Sequence, residues 1–235
     1  NINTLSDRAV DNIRRNLELM DEYCKSRGAQ FVFTAVPNKN SIYPEYMPFN
    51  YIESDNVGNY EKLMKTLSES GFCLDMAEAL RSADASIPLY HKTDSHWNNL
   101  GAYAGHVRLT EVLGVESCSA GTSWFTRNDR LGDLAAMIYP DEEAKDTNVY
   151  NDYEFTYSYE GRFRGLDDLT IKTTAPDKEG KLLMYRDSFG EAILPYMAEC
   201  FGEAEFSRVV PYRMEAIDGG SVVLEIVERN IGNLQ

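Results

Sequence analysis

Apolar residues in the first half of the chain follow two patterns in turn, a helical spacing and a short continuous run. The helical spacing predicts a helix over 6–27, with Ser6 as its N-terminal cap and Gly28 as its stop. The β-rich run at 30–36, which ends at Pro37, predicts a buried parallel strand. The same patterns predict further helices at 57–70, 76–83 and 98–113 and further strands at 72–74 and 87–90. Helices that alternate with buried strands indicate an α/β fold with a doubly wound sheet.

The pattern changes between about 115 and 178, where short β-like or irregular pieces are separated by polar turns. The alternation then resumes, and its expected elements are a strand at 181–185, a helix at 188–199, and strands at 205–210 and 221–227. We therefore expect residues 1–235 to form one α/β domain with a mainly parallel sheet. The irregular part is expected to be an insertion or lid within that domain, and not a domain of its own.

Composition and charge exclude several classes of partner. The chain has 23 basic and 38 acidic residues, a formal net charge of −15 and no evident Lys/Arg cluster, so nucleic acid is not an expected partner. It lacks any run of about 18 apolar residues, which predicts no membrane span, and its polar opening segment does not resemble an export signal. The cysteines form no C-x-x-C motif and are expected to be buried, with one disulfide allowed if the protein is exported; they are Cys24, Cys73, Cys118 and Cys200.

A serine follows the strand predicted at 181–185, directly before a predicted helix. This serine, Ser188, therefore lies at the carboxyl edge of the sheet, where open α/β folds bind their ligands. Backbone N–H groups and the positive end of a helix dipole at such a position suit a developing oxyanion. Ser188 is thus a candidate nucleophile. The alternative is that Asp187 or Ser188 only caps the helix.

A serine hydroxyl needs a base, usually an imidazole that a carboxylate holds in one tautomer. Of the three histidines, His106 falls inside the helix predicted at 98–113, whereas His96 lies two residues after Asp94 in a loop between a predicted strand and a predicted helix. Two strand ends with complementary residue types favour a Ser188, His96 and Asp94 triad. Two alternatives remain open: Asp94 caps a turn beside a surface histidine, or His91, Asp94 and His96 bind a metal.

Five short motifs stand out along this sequence: Thr93-Asp94-Ser95-His96-Trp97, Arg186-Asp187-Ser188-Phe189, the Pro37-x-Lys39 segment that ends in Tyr43-Pro44-Glu45, Gly132-Asp133-Leu134, and Val227-Glu228-Arg229. Together they resemble one protein family, the SGNH-hydrolase-like domain of the alginate O-acetyltransferases and their Asp-x-His-Trp relatives. The similarity runs from about residue 29 to 229. Ordinary SGNH enzymes have a glycine where this chain has Arg186.

The resemblance implies a flavodoxin-like three-layer α/β/α fold and acetyl transfer onto an extracytoplasmic polysaccharide, without a metal or cofactor. Ser188 would be the nucleophile, His96 its general base and Asp94 the residue that orients the imidazole. An acyl donor and a carbohydrate acceptor would be the partners, and a membrane tether or export machinery would lie outside this sequence. The candidate substrate-binding residues are Asn38, Lys39, Tyr43, Trp97 and Arg186, of which Tyr43 and Trp97 could stack on sugar rings.

Two questions stay open at this point. Transferase and esterase share the acylation step, so the motifs do not separate acetyl transfer from ester hydrolysis. A catalytically inactive glycan-binding or polysaccharide-assembly protein on the same fold is the alternative from another functional class. The oligomeric state is equally open.

Overall fold

A computed structural model describes residues 4–49, 57–83, 86–119, 123–140 and 145–235 of the chain. Its α-helices are α1 (Asp7–Ser26), α2 (Lys39–Ile42), α3 (Asn59–Leu67), α4 (Met76–Arg81), α5 (Asn99–Leu113), α6 (Asp133–Ile138) and α7 (Gly190–Ala198). Its strands are β1 (Ala29–Val36), β2 (Cys73–Asp75), β3 (Trp124–Arg130), β4 (Asp146–Asn151), β5 (Ser158–Glu160), β6 (Thr170–Thr174), β7 (Lys181–Tyr185), β8 (Glu203–Ser207) and β9 (Gly220–Val227).

The main sheet has seven strands in the order β2-β1-β9-β7-β8-β6-β5. The first five strands in this order, β2, β1, β9, β7 and β8, are parallel to one another. Strand β6 pairs antiparallel with β8, and β5 pairs antiparallel with β6. This arrangement confirms the predicted α/β fold with a mainly parallel sheet. Helices on both faces make it a three-layer structure.

The hydrophobic core lies on both faces of the sheet, because successive side chains of a strand point to opposite sides. Along β1, Phe31 and Phe33 pack with α1 and α3, whereas Val32 and Val36 pack on the opposite face with α4, α5 and α7. A strand that is buried on both faces needs apolar residues at almost every position. This explains why the continuous run at 30–36 was a reliable strand signal.

Local signals set the ends of the longer helices. The Ser6 side chain accepts a hydrogen bond from the Ala9 N–H at 3.2 Å and caps α1. Gly28, two residues after the last residue of α1, has a φ of +70°, a left-handed conformation that favours glycine. The Asn98 side chain caps α5 in the same way by accepting the N–H groups of Leu100 and Gly101, each at 3.0 Å.

The prediction of a strand at 87–90 is wrong. Only Tyr90 forms a bridge, with Trp97, so the chain from residue 90 to 97 is a tight loop, called here the acid–base loop. Pro88 has no N–H to donate, and the Leu89 N–H donates to the Tyr43 hydroxyl at 2.8 Å instead of to a neighbouring strand. Two smaller differences are that α7 begins at Gly190 and that β8 ends at Ser207.

The segment expected to be an insertion or lid has two parts. Strands β3 and β4 form a separate antiparallel pair, with α6 between them in the sequence, while β5 and β6 extend the main sheet. Residues 120–122 and 141–144 of this segment lie outside the described residues. The division into one domain with an insertion at about 115–178 stays a prediction.

Among the described residues, Cys24, Cys118 and Cys200 are buried as expected and Cys73 is half-buried. None of the helices that the structure describes combines the length and the apolar character needed to cross a membrane.

Candidate active site

Two loops that are far apart in the sequence meet at the carboxyl edge of the sheet. Ser188 Oγ lies 2.9 Å from His96 Nε2, and His96 Nδ1 lies 2.7 Å from Asp94 Oδ1. The His96 backbone N–H also donates to Asp94 Oδ1, at 2.9 Å. The structure therefore brings the three predicted catalytic residues together in one hydrogen-bonded chain. In this chain Nδ1 carries a proton for Asp94, which leaves Nε2 to accept the Ser188 proton.

Asp94 is the buried end of this chain, with 1% of its side chain exposed. Burial by itself raises the pKa of a carboxyl group, but the hydrogen bonds from His96 and Arg130 outweigh it and hold the pKa of Asp94 well below its ordinary value. Asp94 is therefore ionised near neutral pH. A buried carboxylate beside Nδ1 can stabilise the imidazolium that forms when His96 accepts a proton.

Arg130, at the end of β3, makes the second set of contacts with Asp94. Its Nε and Nη2 atoms donate to Asp94 Oδ2 at 3.0 and 2.8 Å. The guanidinium thus binds the oxygen that does not face the imidazole through two hydrogen bonds, called here the fork. Arg130 is not among the predicted site residues, because it lies outside every motif quoted from the sequence. No local signal links an arginine to an aspartate 36 residues earlier.

Asp133, the first residue of α6, holds the next position of the acid–base loop. It accepts the Ser95 backbone N–H at 2.7 Å and the Ser95 hydroxyl at 2.5 Å. Its Oδ2 atom is also 3.5 Å from His96 Nδ1. The motif Gly132-Asp133-Leu134 was noticed only as part of the family resemblance, without a role for Asp133.

Further contacts fix the start of the acid–base loop. The Asp146 carboxylate accepts the Thr93 N–H at 2.6 Å and the Thr93 hydroxyl at 3.0 Å, and the Ala135 N–H donates to the Thr93 carbonyl at 3.1 Å. Gly132 packs so closely here that a Cβ atom would lie 2.2 Å from the Thr93 carbonyl oxygen. The segment from 130 to 135 and β4 thus enclose the acid–base loop from one side.

Lys39, a predicted substrate-binding residue, supports the acid–base loop from the other side. Its ammonium donates to the backbone carbonyls of His91, Lys92 and Asp94 at 3.2, 3.0 and 2.8 Å. Burial lowers the pKa of Lys39 below its ordinary value. Because an ammonium has three protons and three carbonyls take them, Lys39 has none left for a substrate. Its position corrects the prediction from substrate contact to loop support.

Arg186 and Trp97 are also corrected, because both are buried. Trp97 is 1% exposed, and its indole N–H donates to the Phe189 carbonyl at 2.9 Å, so no face of the ring is open to a sugar. Arg186 is 4% exposed, and its guanidinium donates to the carbonyls of Leu166, Asp168 and Asp187. Both side chains support the site from within the core.

Asn38 and Tyr43 stay candidates for substrate contact. Tyr43 is half-buried and lines a cavity of about 770 Å³ together with Lys39 and His91. The described residues that line this cavity do not include the triad, so its position alone does not make it a substrate pocket. Asn38 is half-buried, and its side-chain oxygen accepts a hydrogen bond from Arg229 at 3.4 Å.

The turn that carries Ser188 is fixed by the residue before it. The Asp187 carboxylate accepts the N–H groups of Phe189 and Val227, both at 2.8 Å, which ties the turn to the end of β9. The Asp187 N–H donates to the buried Glu225 at 3.1 Å. Within the described part of the chain, the Ser188 N–H has no acceptor, and it lies just before α7. An oxyanion could therefore bind at this N–H.

A metal site of His91, Asp94 and His96 does not form among the described residues. His91 Nδ1 lies 3.3 Å from the Thr147 carbonyl. The group whose ligand atoms lie within 4.8 Å of one another is Asp94, His96 and Asp133. These side chains already share hydrogen bonds with each other and with their neighbours, as described above.

Two solved structures share the fold of this chain. Bacillus cereus PatB1 with a sulfonyl adduct has a TM-score of 0.74 and 16% sequence identity, and the match covers 97% of this chain and 91% of PatB1. A DHHW family protein from Eubacterium siraeum has a TM-score of 0.71 and 18% identity, with 95% of this chain and 87% of that chain covered. At these identities the likeness concerns the fold alone.

The sequence also matches a curated relative and a family model. A protein of Pseudomonas syringae pv. tomato described as "Probable alginate O-acetylase AlgJ" is 28% identical over 90 residues, which span 38% of this chain but only 23% of that protein. The family model of the SGNH hydrolase-like domain of acetyltransferase AlgX matches residues 3–170. Since that match covers more than half of the sequence, this chain belongs to the family of SGNH hydrolase-like domains of acetyltransferase AlgX.

Proposed function

We propose that this protein transfers or removes acetyl groups on a polysaccharide through an acyl-enzyme at Ser188. The observation that carries the proposal is the hydrogen-bonded chain from Ser188 Oγ through His96 to the buried Asp94 carboxylate. Distances of 2.9 and 2.7 Å are short enough for proton transfer without rearrangement. The description of the relative from Pseudomonas syringae as an alginate O-acetylase supports acetyl as the acyl group.

The proposed reaction has two halves. In the first half, His96 Nε2 takes the Ser188 proton while Oγ attacks the acyl carbonyl, and the Ser188 N–H donates to the developing oxyanion. The imidazolium then gives its proton to the leaving group, and the acetyl ester of Ser188 remains. In the second half, His96 takes a proton from the acceptor hydroxyl as the oxygen of that hydroxyl attacks the ester carbonyl. The imidazolium then gives this proton to Ser188 Oγ as the bond between Oγ and the acetyl group breaks, which frees Ser188. A sugar acceptor makes the protein a transferase and water makes it an esterase.

We also propose that the acceptor is a polysaccharide outside the cytoplasm, as the family resemblance implies. The acyl donor is then a separate partner, because the chemistry above needs an activated acetyl group to enter the site. These statements rest on the family and not on the triad geometry.

The test is acetyl release from an aryl acetate, with labelling of Ser188 by a serine-reactive phosphonate read by mass spectrometry. We expect turnover and labelling for the unmodified protein and loss of both in Ser188→Ala and His96→Ala. Ser68→Ala, at the end of α3, is the matched control and should behave like the unmodified protein. Full turnover in Ser188→Ala would refute the proposal. An unlabelled Ser188 together with measurable polysaccharide binding would instead favour the inactive glycan-binding alternative.

A further inference from the structure

Arg130 and Asp133 place opposite charges on the two sides of the acid–base pair. Arg130 donates twice to Asp94 Oδ2, and Asp133 Oδ2 lies 3.5 Å from His96 Nδ1. Arg130 is the last residue of β3 and Asp133 is the first residue of α6, and in the described part of the chain neither has a hydrogen bond to Ser188. Their contacts with the acid–base loop are made to Asp94, Ser95 and His96, and through these residues they can act on the reaction.

Support of the acid–base loop does not by itself explain why charged side chains stand at both Arg130 and Asp133. The acid–base loop is already fixed by backbone bonds to Lys39 and Ala135 and by the Asp146 carboxylate at Thr93. Arg130 adds a positive charge, and its fork occupies Oδ2 so that only Oδ1 is left to face the imidazole. Asp133 adds a negative charge beside the nitrogen that becomes part of an imidazolium.

The two charges act on protonated His96 with opposite signs. An imidazolium is destabilised by a nearby guanidinium and stabilised by a nearby carboxylate. Arg130 also neutralises part of the negative charge of Asp94, and this too makes the imidazolium of His96 less stable. The Arg130 side chain is 40% exposed and that of Asp133 is 32% exposed, so water screens both charges more than it screens the buried Asp94.

We propose that Arg130 and Asp133 are positioning residues that set, in opposite directions, the pH at which His96 becomes able to take the Ser188 proton. This inference rests on the proposed function. The other charged or titratable groups around His96 are Asp94 on its own loop, Lys39 after β1, Asp146 on β4, His91 at the start of the loop, and Arg229, whose guanidinium lies over the Phe189 ring that packs on His96. They stay unchanged in the variants below.

The test compares Arg130→Gln and Asp133→Asn by the pH dependence of kcat/KM with an aryl acetate. The acid limb is the part of the profile in which kcat/KM falls as the pH is lowered. We expect the midpoint of this limb to shift to higher pH by about half a unit or more in Arg130→Gln, and to lower pH by a similar amount in Asp133→Asn. The value of kcat should fall in both while KM changes little. Arg130→Lys keeps the charge but loses the fork, so it should lower kcat and leave the limb in place.

Arg127→Gln is the matched control. Arg127 lies on the same strand, but its guanidinium packs over the rings of Phe125 and Tyr150, away from the triad. It should leave the acid limb where it is. Circular dichroism identifies any variant that fails to fold, and Asp133→Asn and Arg130→Lys each test one half of the proposal independently of Arg130→Gln.

A second readout separates this inference from the proposed function. The chain has three histidines, so the ring signal of His96 can be assigned by NMR and titrated without any turnover. Opposite movements of its midpoint in the two variants support the inference, even if Ser188→Ala shows that the proposed reaction is wrong. Movements in the same direction, or no movement of the midpoint in either variant, would overturn it.

Discussion

Replacing Asp94 with asparagine tests the electrostatic part of the proposed mechanism most directly. The carboxylate is 1% exposed and lies 2.7 Å from His96 Nδ1, so its charge acts on the imidazolium with little screening by water. Two unit charges about 4 Å apart interact by about 4 kcal/mol at an effective dielectric constant of about 20. Since about 1.4 kcal/mol is a factor of ten in rate, the full charge is worth about 10³-fold.

The neighbouring guanidinium lowers this estimate. Arg130 forms a close ion pair with Asp94 and offsets part of its charge, so we expect kcat in Asp94→Asn to fall by about 10²-fold to 10³-fold. If the new amide turns its NH₂ group towards Nδ1, the imidazole is forced into the tautomer with a proton on Nε2, and the loss is larger. In either orientation KM should change by less than about threefold, because Asp94 is buried and not in contact with substrate.

The assay is the pre-steady-state rate of Ser188 acetylation by an aryl acetate, read beside the rate of phosphonate labelling. Asp133→Asn is the matched control, since it removes a carboxylate that is 3.5 Å from the same nitrogen but 32% exposed. We expect that control to lose less than about tenfold. An Asp94→Asn protein that folds normally and acetylates within tenfold of the unmodified rate would refute the reasoning.

Two further predictions concern the support of the acid–base loop, and a third concerns the pH dependence of stability. Gly132→Ala should lower kcat and cost about 1–3 kcal/mol in the free energy of unfolding by urea, because the new Cβ would lie 2.2 Å from the Thr93 carbonyl; Gly71→Ala, where no atom lies within 4 Å, should be neutral. Lys39→Met leaves three loop carbonyls without their donor, so amide hydrogen exchange in the acid–base loop should rise and Ser188 labelling should slow; unchanged exchange would contradict the supporting role. The lowered pKa of Asp94 stabilises the folded protein at pH values above the ordinary aspartate pKa of about 3.9. This stabilisation is lost as the pH falls towards the pKa that Asp94 has in the folded state. The urea midpoint of the unmodified protein should therefore fall more steeply below about pH 4 than that of Asp94→Asn.

Elements with strong local signals were predictable from the sequence. Helix α1 and strand β1 have apolar patterns, caps and stops that agree with one another, and both formed close to the expected bounds. The strand expected at 87–90 failed because an apolar run does not show whether a neighbouring strand is present to pair with it. There the Leu89 N–H found a tyrosine hydroxyl instead.

The candidate site divides in the same way. The types and order of Ser188, His96 and Asp94, and their places at the ends of predicted elements, could be read from the sequence. The residues that support them could not. Trp97, Lys39 and Arg186 were expected to meet a substrate, yet the hydrogen bonds that their side chains donate go to backbone carbonyls in or beneath the site.

The sequence by itself determined the α/β alternation and the chemical types of the candidate triad, because helix and strand signals are local and a nucleophile and its base are distinctive residues. Only the tertiary structure decided that Arg130 grips Asp94, that Asp133 grips Ser95 and that β5 and β6 join the main sheet. The physical reason is that these contacts join residues far apart in the chain through hydrogen bonds between separate parts of the fold. Such bonds leave no periodic pattern, and they exist only once the packing of the whole domain brings their partners together.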